Sequence, residues 1–173
     1  MNHIDNNTIT DYITGKSIKN IGPEKSRQIF EQFLVQDKGW AKKDIRVNET
    51  IIVQFKGEDY ISKIDLVVFC NNKAFMAITC VAGSIGSYER EILAGARLIY
   101  DYQIPFAIST DARDAAIIDT LSGKKQGKGL DAVFSKEDAL QKFESLKYKA
   151  FDSGKKEREM IIYRSFNMEK INI

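Results

Sequence analysis

The chain has 173 residues, of which 43% are hydrophobic and 29% are charged, and its formal net charge is +2. This length suits one domain with its own hydrophobic core, and the composition is typical of an ordinary globular protein. No apolar run approaches the roughly 20 residues that a membrane-spanning helix needs, and the N-terminus lacks the basic start and apolar block of a signal peptide. We therefore expect a cytoplasmic protein without a membrane partner.

The few cysteines and histidines restrict the chemistry. His3 is the one histidine in the sequence, so neither a His/Cys zinc site nor a Ser/His/Asp triad is expected. Cys70 and Cys80 fall on two strands predicted to be adjacent. They would lie about six residue rows, or roughly 20 Å, apart, which is too far for a disulfide. Two buried thiols are the prediction.

The N-terminal part divides at Gly22-Pro23. Residues 1–22 are polar, and we predict an N-terminal extension with at most weak order. Pro23 is well placed to begin a helix, because a missing N–H costs nothing there, and Gly39 ends it. The helix between them carries one apolar stripe, which predicts that it packs on a core.

Three strands and a helix are predicted next. The strands are "DIRVNETIIVQF", "YISKIDLVVFC" and "AFMAITCV", and the last two are joined through Asn71 and Asn72, which tolerate a positive φ. The near-continuous apolar run "DLVVFC" predicts a strand that is covered on both faces. A helix capped by Ser87 is predicted to extend to about Tyr102 and is followed by a buried strand, "IPFAIST".

The C-terminal part is more polar. A short helical turn and an apolar segment are predicted in "DARDAAIIDT", followed by a flexible basic loop, "GKKQGKG", a helix capped by Ser135, and a charged helix at the end. The order of elements predicts a three-layer α/β domain with an αβββαβ core and extra C-terminal helices. We place the extension at 1–22, the domain at 23–150 and a helical appendage at 151–173.

From Pro23 to about Phe143 the chain resembles the N-terminal domain of type I restriction enzyme R subunits, a family of the PD-(D/E)XK nuclease superfamily. The resemblance rests on the order and spacing of "PEKSRQIFEQFLVQDKGW", "IRVNETIIV", "SKIDLVVF", "FMAITC" and "IPFAISTDARDAAIIDT". The chain is also similar to a smaller group of stand-alone proteins with this domain that lack the full active site. The resemblance implies a restriction-endonuclease-like fold and DNA as a partner.

The resemblance also implies where a catalytic site would lie. In such a site, acids on two neighbouring strands hold Mg²⁺, and a lysine two residues beyond the second acid acts on the attacking water and the phosphate. Asp65 matches the first acid. In the predicted hairpin Thr79 lies opposite Asp65, so Thr79 stands at the second acid position and Val81 at the lysine position. Two of the three site residues are therefore missing.

A carboxylate on the following helix could replace the missing acid. With 100° per residue, Glu89 falls on the inward stripe of that helix, whereas Glu91 points away. Glu89 is therefore the candidate partner of Asp65, and Arg90 beside it is a candidate phosphate contact. The helix dipole by itself also favours acids in a first turn, so Glu89 has a purely structural explanation as well.

Three other surfaces are candidates for binding. The turn "GSIGS" at 83–87 could cradle a phosphate with its amides, although a glycine-rich strand-to-helix turn is the more common explanation. The loop lysines Lys124, Lys125 and Lys128 are candidate nucleic-acid contacts, and solvated lysines are the alternative. The apolar run "MIIY" at 160–163 could seat a protein partner or a second copy, unless it packs on its own domain.

Three functions follow from these observations. The first is a catalytically impaired nuclease-fold protein that acts in nucleic-acid binding or restriction-type defence and needs no cofactor. The second is an active Mg²⁺-dependent endonuclease that uses Asp65, as a metal ligand, with a relocated Glu89. The third is a non-catalytic protein-interaction module, in which case a protein partner or a homodimer is expected.

Overall fold

The computed structural model describes residues 7–171, so His3 lies outside the described residues. Within them the chain forms a two-stranded hairpin, a six-stranded sheet and four α-helices. The strands are β1 (Thr8–Thr10), β2 (Ser17–Lys19), β3 (Ile45–Phe55), β4 (Glu58–Cys70), β5 (Lys73–Cys80), β6 (Phe106–Thr110), β7 (Ala115–Asp119) and β8 (Lys125–Lys128). The helices are α1 (Glu24–Gln36), α2 (Glu89–Leu98), α3 (Lys136–Lys142) and α4 (Ser153–Ile171).

The large sheet has the strand order β3-β4-β5-β6-β7-β8. β5 and β6 are parallel and are connected through α2, whereas the other neighbouring pairs are antiparallel. A parallel pair needs a crossover, and a helix is its usual form. The predicted mixed α/β class is confirmed.

Hydrophobic residues cover both faces of the central strands. Leu66 packs with Phe30 of α1 in one buried cluster, and its neighbour Val67 packs with Ile92 of α2 and Tyr163 of α4 in another. Adjacent residues of a strand point to opposite faces, so the two clusters lie on the two sides of the sheet. This explains the near-continuous apolar sequence of β4.

The β4–β5 turn differs slightly from the prediction and leaves the important register unchanged. Asn71 and Asn72 both have a positive φ, 49° and 64°, and Cys70 pairs with Lys73 rather than with Ala74. A bulge then restores the predicted register, so that Leu66 lies opposite Ile78. Both cysteines are buried and free, as predicted.

The prediction of weak order before Pro23 was wrong for residues 7–22. β1 and β2 form an antiparallel hairpin in which Ile9 lies opposite Ile18. The connecting turn carries Asp11, which is buried and accepts a hydrogen bond of 2.6 Å from Arg27 of α1. An ion pair, rather than a hydrophobic stripe, therefore attaches this polar hairpin to the domain.

Two local predictions were also wrong. Residues 125–128 of the expected basic loop form β8, an edge strand paired with β7. α2 begins at Glu89 after a 3-10 turn (Ile85–Tyr88), without a side-chain cap from Ser87, and ends at Leu98. Backbone pairing, which composition does not reveal, stabilises β8.

The last helix packs on its own domain rather than presenting the 160–163 run to a partner. Tyr163 is 1% exposed, and the sulfur of Met160 accepts a hydrogen bond from the backbone of Gln54, although Ile161 remains exposed. Gly95 of α2 permits close packing here, because a Cβ at that position would lie 3.4 Å from the Tyr163 ring and 3.1 Å from Ile64. Of the helices in residues 7–171, none combines the length and the apolarity that crossing a bilayer requires.

Candidate functional site

Asp65 lies on β4 beside the end of β5. Its Oδ2 accepts a hydrogen bond of 2.8 Å from the backbone N–H of Cys80 and one of 3.3 Å from the hydroxyl of Thr79. Thr79 is therefore next to Asp65, as the hairpin register predicted, and Asp65 is held by its neighbouring strand.

The helical acid near Asp65 is Glu91 and not Glu89, which corrects the predicted orientation of α2. Glu91 is 3% exposed, whereas Glu89 forms an ion pair of 2.9 Å with Lys125 of β8. α2 is covered by the sheet on one side and by α4 on another, so its buried surface extends further around the helix than one apolar stripe. The Glu91 side chain lies on the side that contacts α4.

A lysine from the end of α4 joins these groups. The ammonium of Lys170 donates to Thr79 Oγ1 at 2.5 Å and to Glu91 Oε1 at 2.7 Å. Because the Thr79 hydroxyl donates to Asp65 in turn, a continuous hydrogen-bond chain connects Lys170 to Asp65. We call Asp65, Thr79, Glu91, Asn167 and Lys170 the Lys170 cluster.

Asn167 positions the second oxygen of Glu91. Its amide nitrogen lies 3.4 Å from Glu91 Oε2, and its carbonyl oxygen accepts hydrogen bonds of 2.6 Å from Tyr60 and 2.7 Å from Ser62. Asn167 is itself buried. β4 and α4 therefore hold both carboxylate oxygens of Glu91 in defined positions.

The charges in the cluster act on one another. Burial raises the pKa of Glu91, the ammonium of Lys170 opposes this effect, and the negative charge of Asp65 adds to it. Two carboxylates near one ammonium leave the cluster with a small negative charge when both are ionised. The arrangement resembles a buried ion pair with a second acid beside it.

Two depressions meet at the Lys170 cluster, and both include Asp65 and Lys170 in their lining. One, of about 320 Å³, extends to Val81 and the turn at Gly83 and Ser84. The other, of about 500 Å³, extends along β4 to Lys63. Together they form a cleft, the Asp65–Lys170 cleft, with the charged groups at its centre.

Val81 directly follows β5, at the position where the resemblance places a lysine. Val81 is 3% exposed, and its backbone N–H donates to the carbonyl of Thr110 at 2.8 Å. Lys170 thus supplies an ammonium from a different element, 91 residues after Thr79 in the chain. Neither Lys170 nor Asn167 was singled out from the sequence, where the one signal was a polar face at the end of a charged helix.

The residues predicted to contact nucleic acid differ in their local partners. Arg90 makes a bidentate ion pair with Glu159 of α4, at 2.6 and 2.8 Å. Lys125 is paired with Glu89, and Lys124 and Lys128 are exposed. Arg90 therefore has a local partner between α2 and α4, and the three lysines lie on or beside the edge strand β8.

A second group of buried charges surrounds Arg27 on α1. Its guanidinium bonds to Asp11 at 2.6 Å, to Glu31 at 2.7 Å and to Glu24 at 2.5 Å, and we call these four residues the Arg27 cluster. The other oxygen of Glu31, Oε2, is buried and has no hydrogen-bond partner among the described residues. Burial raises the pKa of Glu31 to about 7 against the opposing charge of Arg27.

No group of three or more His, Cys, Asp or Glu side chains in residues 7–171 is arranged to hold a metal ion. In the Lys170 cluster both oxygens of Glu91 are bonded to the chain, and Asp65 Oδ2 accepts two hydrogen bonds. A hard divalent cation would have to displace Lys170 from Glu91 to use both acids. The donor set as arranged does not fit a catalytic Mg²⁺.

A fold with this element order and an acid at the end of a β-hairpin is compatible with an α/β nuclease-like domain. The family model for the type I restriction enzyme R protein N terminus (HSDR_N) matches residues 22–133, and the chain belongs to this family. Neither a curated protein nor a solved structure matches the chain. The match includes Asp65, Thr79 and Glu91 and ends before α4, which carries Asn167 and Lys170.

Proposed function

We propose that this chain is a catalytically impaired PD-(D/E)XK nuclease that acts by binding nucleic acid in a restriction-type defence role. Its family membership and the order α1, β3, β4, β5, α2, β6 support a three-layer restriction-endonuclease-like core. Asp65 then corresponds to the first metal-binding acid, while Thr79 and Val81 replace the second acid and the lysine. A cytoplasmic location and DNA as the partner are part of the same proposal.

The observation that carries the proposal is the position of the Lys170 ammonium. A metal-dependent nuclease uses its acids to hold a divalent cation, and the cation in turn binds the phosphate. Here the chain supplies its own cation, since Lys170 lies 2.7 Å from Glu91 and 2.5 Å from Thr79. The ammonium offsets one of the two acids and occupies the place of a metal, but it cannot activate water as a bound metal does.

The Asp65–Lys170 cleft gives a location for the nucleic acid. Lys63 and Lys170 are basic residues on its lining, and the backbone of the turn at Gly83 and Ser84 borders its other end. Phosphate contacts by lysine provide binding that is largely independent of sequence and weakens as salt is added. We therefore expect salt-sensitive binding without strong sequence preference in this cleft.

The test is to incubate the purified protein with supercoiled plasmid and with labelled single- and double-stranded oligonucleotides, in Mg²⁺, Mn²⁺ or EDTA. The expected result is no cleavage under any condition and an electrophoretic shift that weakens with rising salt. Asp65→Asn tests the assignment, because a trace contaminating nuclease is not affected by this change. Metal-dependent cleavage that disappears in Asp65→Asn would contradict the impaired state.

A second candidate function is favoured by one observation. Two acids and a lysine, the residue types of the family's active site, meet at the Lys170 cluster although they come from β4, α2 and α4. If Lys170 leaves Glu91 when DNA and Mg²⁺ arrive, Asp65 and Glu91 could hold the metal. Cleavage should then be lost in Glu91→Gln and Lys170→Met and retained in the matched control Glu89→Gln, in which the acid pairs with Lys125 instead.

A further inference from the structure

A separate depression, of about 620 Å³, opens between α2 and the beginning of α4, and it shares no lining residue with the Asp65–Lys170 cleft. The segment before α4 and the loop after β7 complete its wall. Five of its lining residues are basic: Arg90, Arg97, Lys149, Lys155 and Arg158. We call this depression the basic pocket.

The basic pocket concentrates positive charge. Its five basic residues face two acids, Asp152 and Glu159, which leaves an excess of three positive charges, whereas the whole chain carries a net charge of +2. The remainder of the protein is therefore close to neutral. A local excess of this size favours an anionic ligand over a neutral one.

Glu159 holds the guanidinium groups of Arg90 and Arg97 in place at the base of the pocket. Buried Glu159 accepts from Arg90 at 2.6 and 2.8 Å and from Arg97 at 3.2 Å, and Arg97 Nε also donates to the carbonyl of Thr120 at 3.2 Å. Although burial opposes it, the charge and hydrogen bonds of Arg90 lower the pKa of Glu159, so the carboxylate stays ionised. Two guanidinium groups that share one carboxylate leave one net positive charge, and the hydrogen bonds fix the orientation of both groups.

The other three cations surround the opening. Lys149, Lys155 and Arg158 are exposed, and none of them forms an ion pair with another residue of the 7–171 region. The N-terminus of α4, which begins at Ser153, adds the positive end of its helix dipole. The charges of these three side chains are therefore available to a ligand, whereas the charge of Lys125 is paired with Glu89.

One wall of the basic pocket is apolar and includes an aromatic ring. Leu121 is 40% exposed. The guanidinium carbon of Arg97 lies over the ring of Phe151, 5.4 Å from the ring centroid. Gly123 leaves room for Arg97, since a Cβ there would lie 3.1 Å from Nη2 of that residue. An aromatic face beside phosphate-binding cations is the combination that stacks a base and neutralises its phosphate.

We infer that the basic pocket binds the phosphate and base of a nucleotide unit, either free or within a nucleic-acid chain. The chain form of the ligand rests on the proposed nucleic-acid function, whereas the free form does not. Arg90 and Arg97 meet the phosphate from the base of the pocket, Lys155 and Arg158 meet it from α4, and Phe151 contacts the base.

The test uses a charge-reversed variant and a matched control. Lys155→Glu/Arg158→Glu changes two pocket residues, and Lys147→Glu/Lys156→Glu changes two exposed lysines outside the pocket by the same total charge. Binding of a labelled single-stranded oligonucleotide is measured by fluorescence anisotropy at several salt concentrations, and dAMP binding is measured by calorimetry. Circular dichroism checks that all variants are folded.

The pocket variant should bind the oligonucleotide at least about tenfold more weakly. The slope of log K against log salt concentration should also fall in magnitude by about 1.4, because each of the two lost phosphate contacts contributes about 0.7 to it. The control variant should stay close to the wild type. Equal weakening in both variants would overturn the inference, since it would show only a general charge effect. So would an unchanged affinity in the pocket variant.

Two further outcomes separate this inference from the proposed function. If Lys63→Glu weakens oligonucleotide binding and the pocket variant does not, nucleic acid binds in the Asp65–Lys170 cleft alone, and the basic pocket inference fails. If no oligonucleotide binds but dAMP binds to the wild type and not to the pocket variant, the pocket inference stands and nucleic-acid binding fails. Absence of binding by either probe would reject both.

Discussion

The Arg27 cluster and the Lys170 cluster each join one cation to acids, three in the first and two in the second, yet they are built differently. The Arg27 partners lie within 16 residues of it and outnumber it three to one. Lys170 is bonded to residues 79 and 91 positions away, and it remains 23% exposed at a cleft. The first cluster is local and, apart from the partly exposed Glu24, buried, while the second is assembled by the tertiary fold and reaches solvent at its cation.

This difference suggests different roles. A guanidinium bonded to three carboxylates, one of them with a buried unpaired oxygen, attaches the N-terminal hairpin to α1 and cannot exchange with a ligand. An ammonium at a cleft can be displaced by another cation or can contact a phosphate. We therefore infer a stabilising role for the Arg27 cluster and propose a binding role for the Lys170 cluster, and three variants test these roles.

The largest effect is expected from Arg27→Met. Asp11 is fully buried and its pKa is lowered, so removing Arg27 leaves its charge uncompensated, and the free energy of unfolding should fall by about 3 to 5 kcal/mol. Urea denaturation at neutral pH measures this change. The matched control, Lys25→Met, alters an exposed residue of the same helix and should stay within about 0.5 kcal/mol of the wild type. Similar free energies of unfolding for the two variants would contradict a structural role for Arg27.

The next effect is a pH dependence that comes from Glu31. Its pKa is raised from 4.5 to about 7, mainly by burial, so folding favours the protonated acid. The resulting stabilisation is fully present below pH 4.5 and is lost as the pH rises through 7. Relative to Glu31→Gln, the wild type should therefore lose about 2 to 3 kcal/mol of stability between these values.

Denaturation of the wild type and of Glu31→Gln at a series of pH values gives this difference directly. Asp11 does not interfere, since hydrogen bonds from Thr14 and Arg27 outweigh burial and lower its pKa, which moves its titration below the window. If the two stability curves remain parallel, Glu31 does not titrate there.

The part of the site that is formed by residues close together in the chain could be predicted from the sequence. A hairpin fixes its own register through its turn and its apolar alternation, so the sequence alone predicts that Thr79 lies beside Asp65. The predicted and observed turns differ by one residue, and a bulge in the structure compensates for this difference. The helix, three strands, helix and strand of the core are also defined by local patterns.

What the sequence could not provide depends on long-range packing. The inward side of α2 was derived from one apolar stripe, but α4 covers a second side, so Glu91 and not Glu89 turns toward Asp65. Lys170 lies outside the region that resembles the restriction family, and no local pattern connects it with β5. The N-terminal hairpin and β8 were missed because ion pairs and backbone pairing, rather than apolar periodicity, stabilise them.

The smallest effect on stability, and the most informative about function, is expected from Lys170→Met. Glu91 keeps its bond to Asn167 and already has a raised pKa, so it can take up a proton when the ammonium is removed. The loss should therefore be only about 2 kcal/mol, less than for Arg27→Met. Without the internal cation, Asp65, Thr79 and Glu91 present oxygen atoms to a common space, and Mn²⁺ should then stabilise the variant by about 1.4 kcal/mol at ten times its Kd.

Thermal denaturation with and without Mn²⁺ measures this gain, and the wild type should not respond, because Lys170 already occupies the position. The double variant Lys170→Met/Glu91→Gln should lose the response, whereas Lys156→Met, on an exposed part of α4, should behave like the wild type. If the wild type were stabilised by Mn²⁺ as much as Lys170→Met, the metal would bind beside the lysine. The Lys170 cluster would then have both acids and the lysine available at once, as the active nuclease requires, and Lys170 would contribute to catalysis instead of replacing the metal.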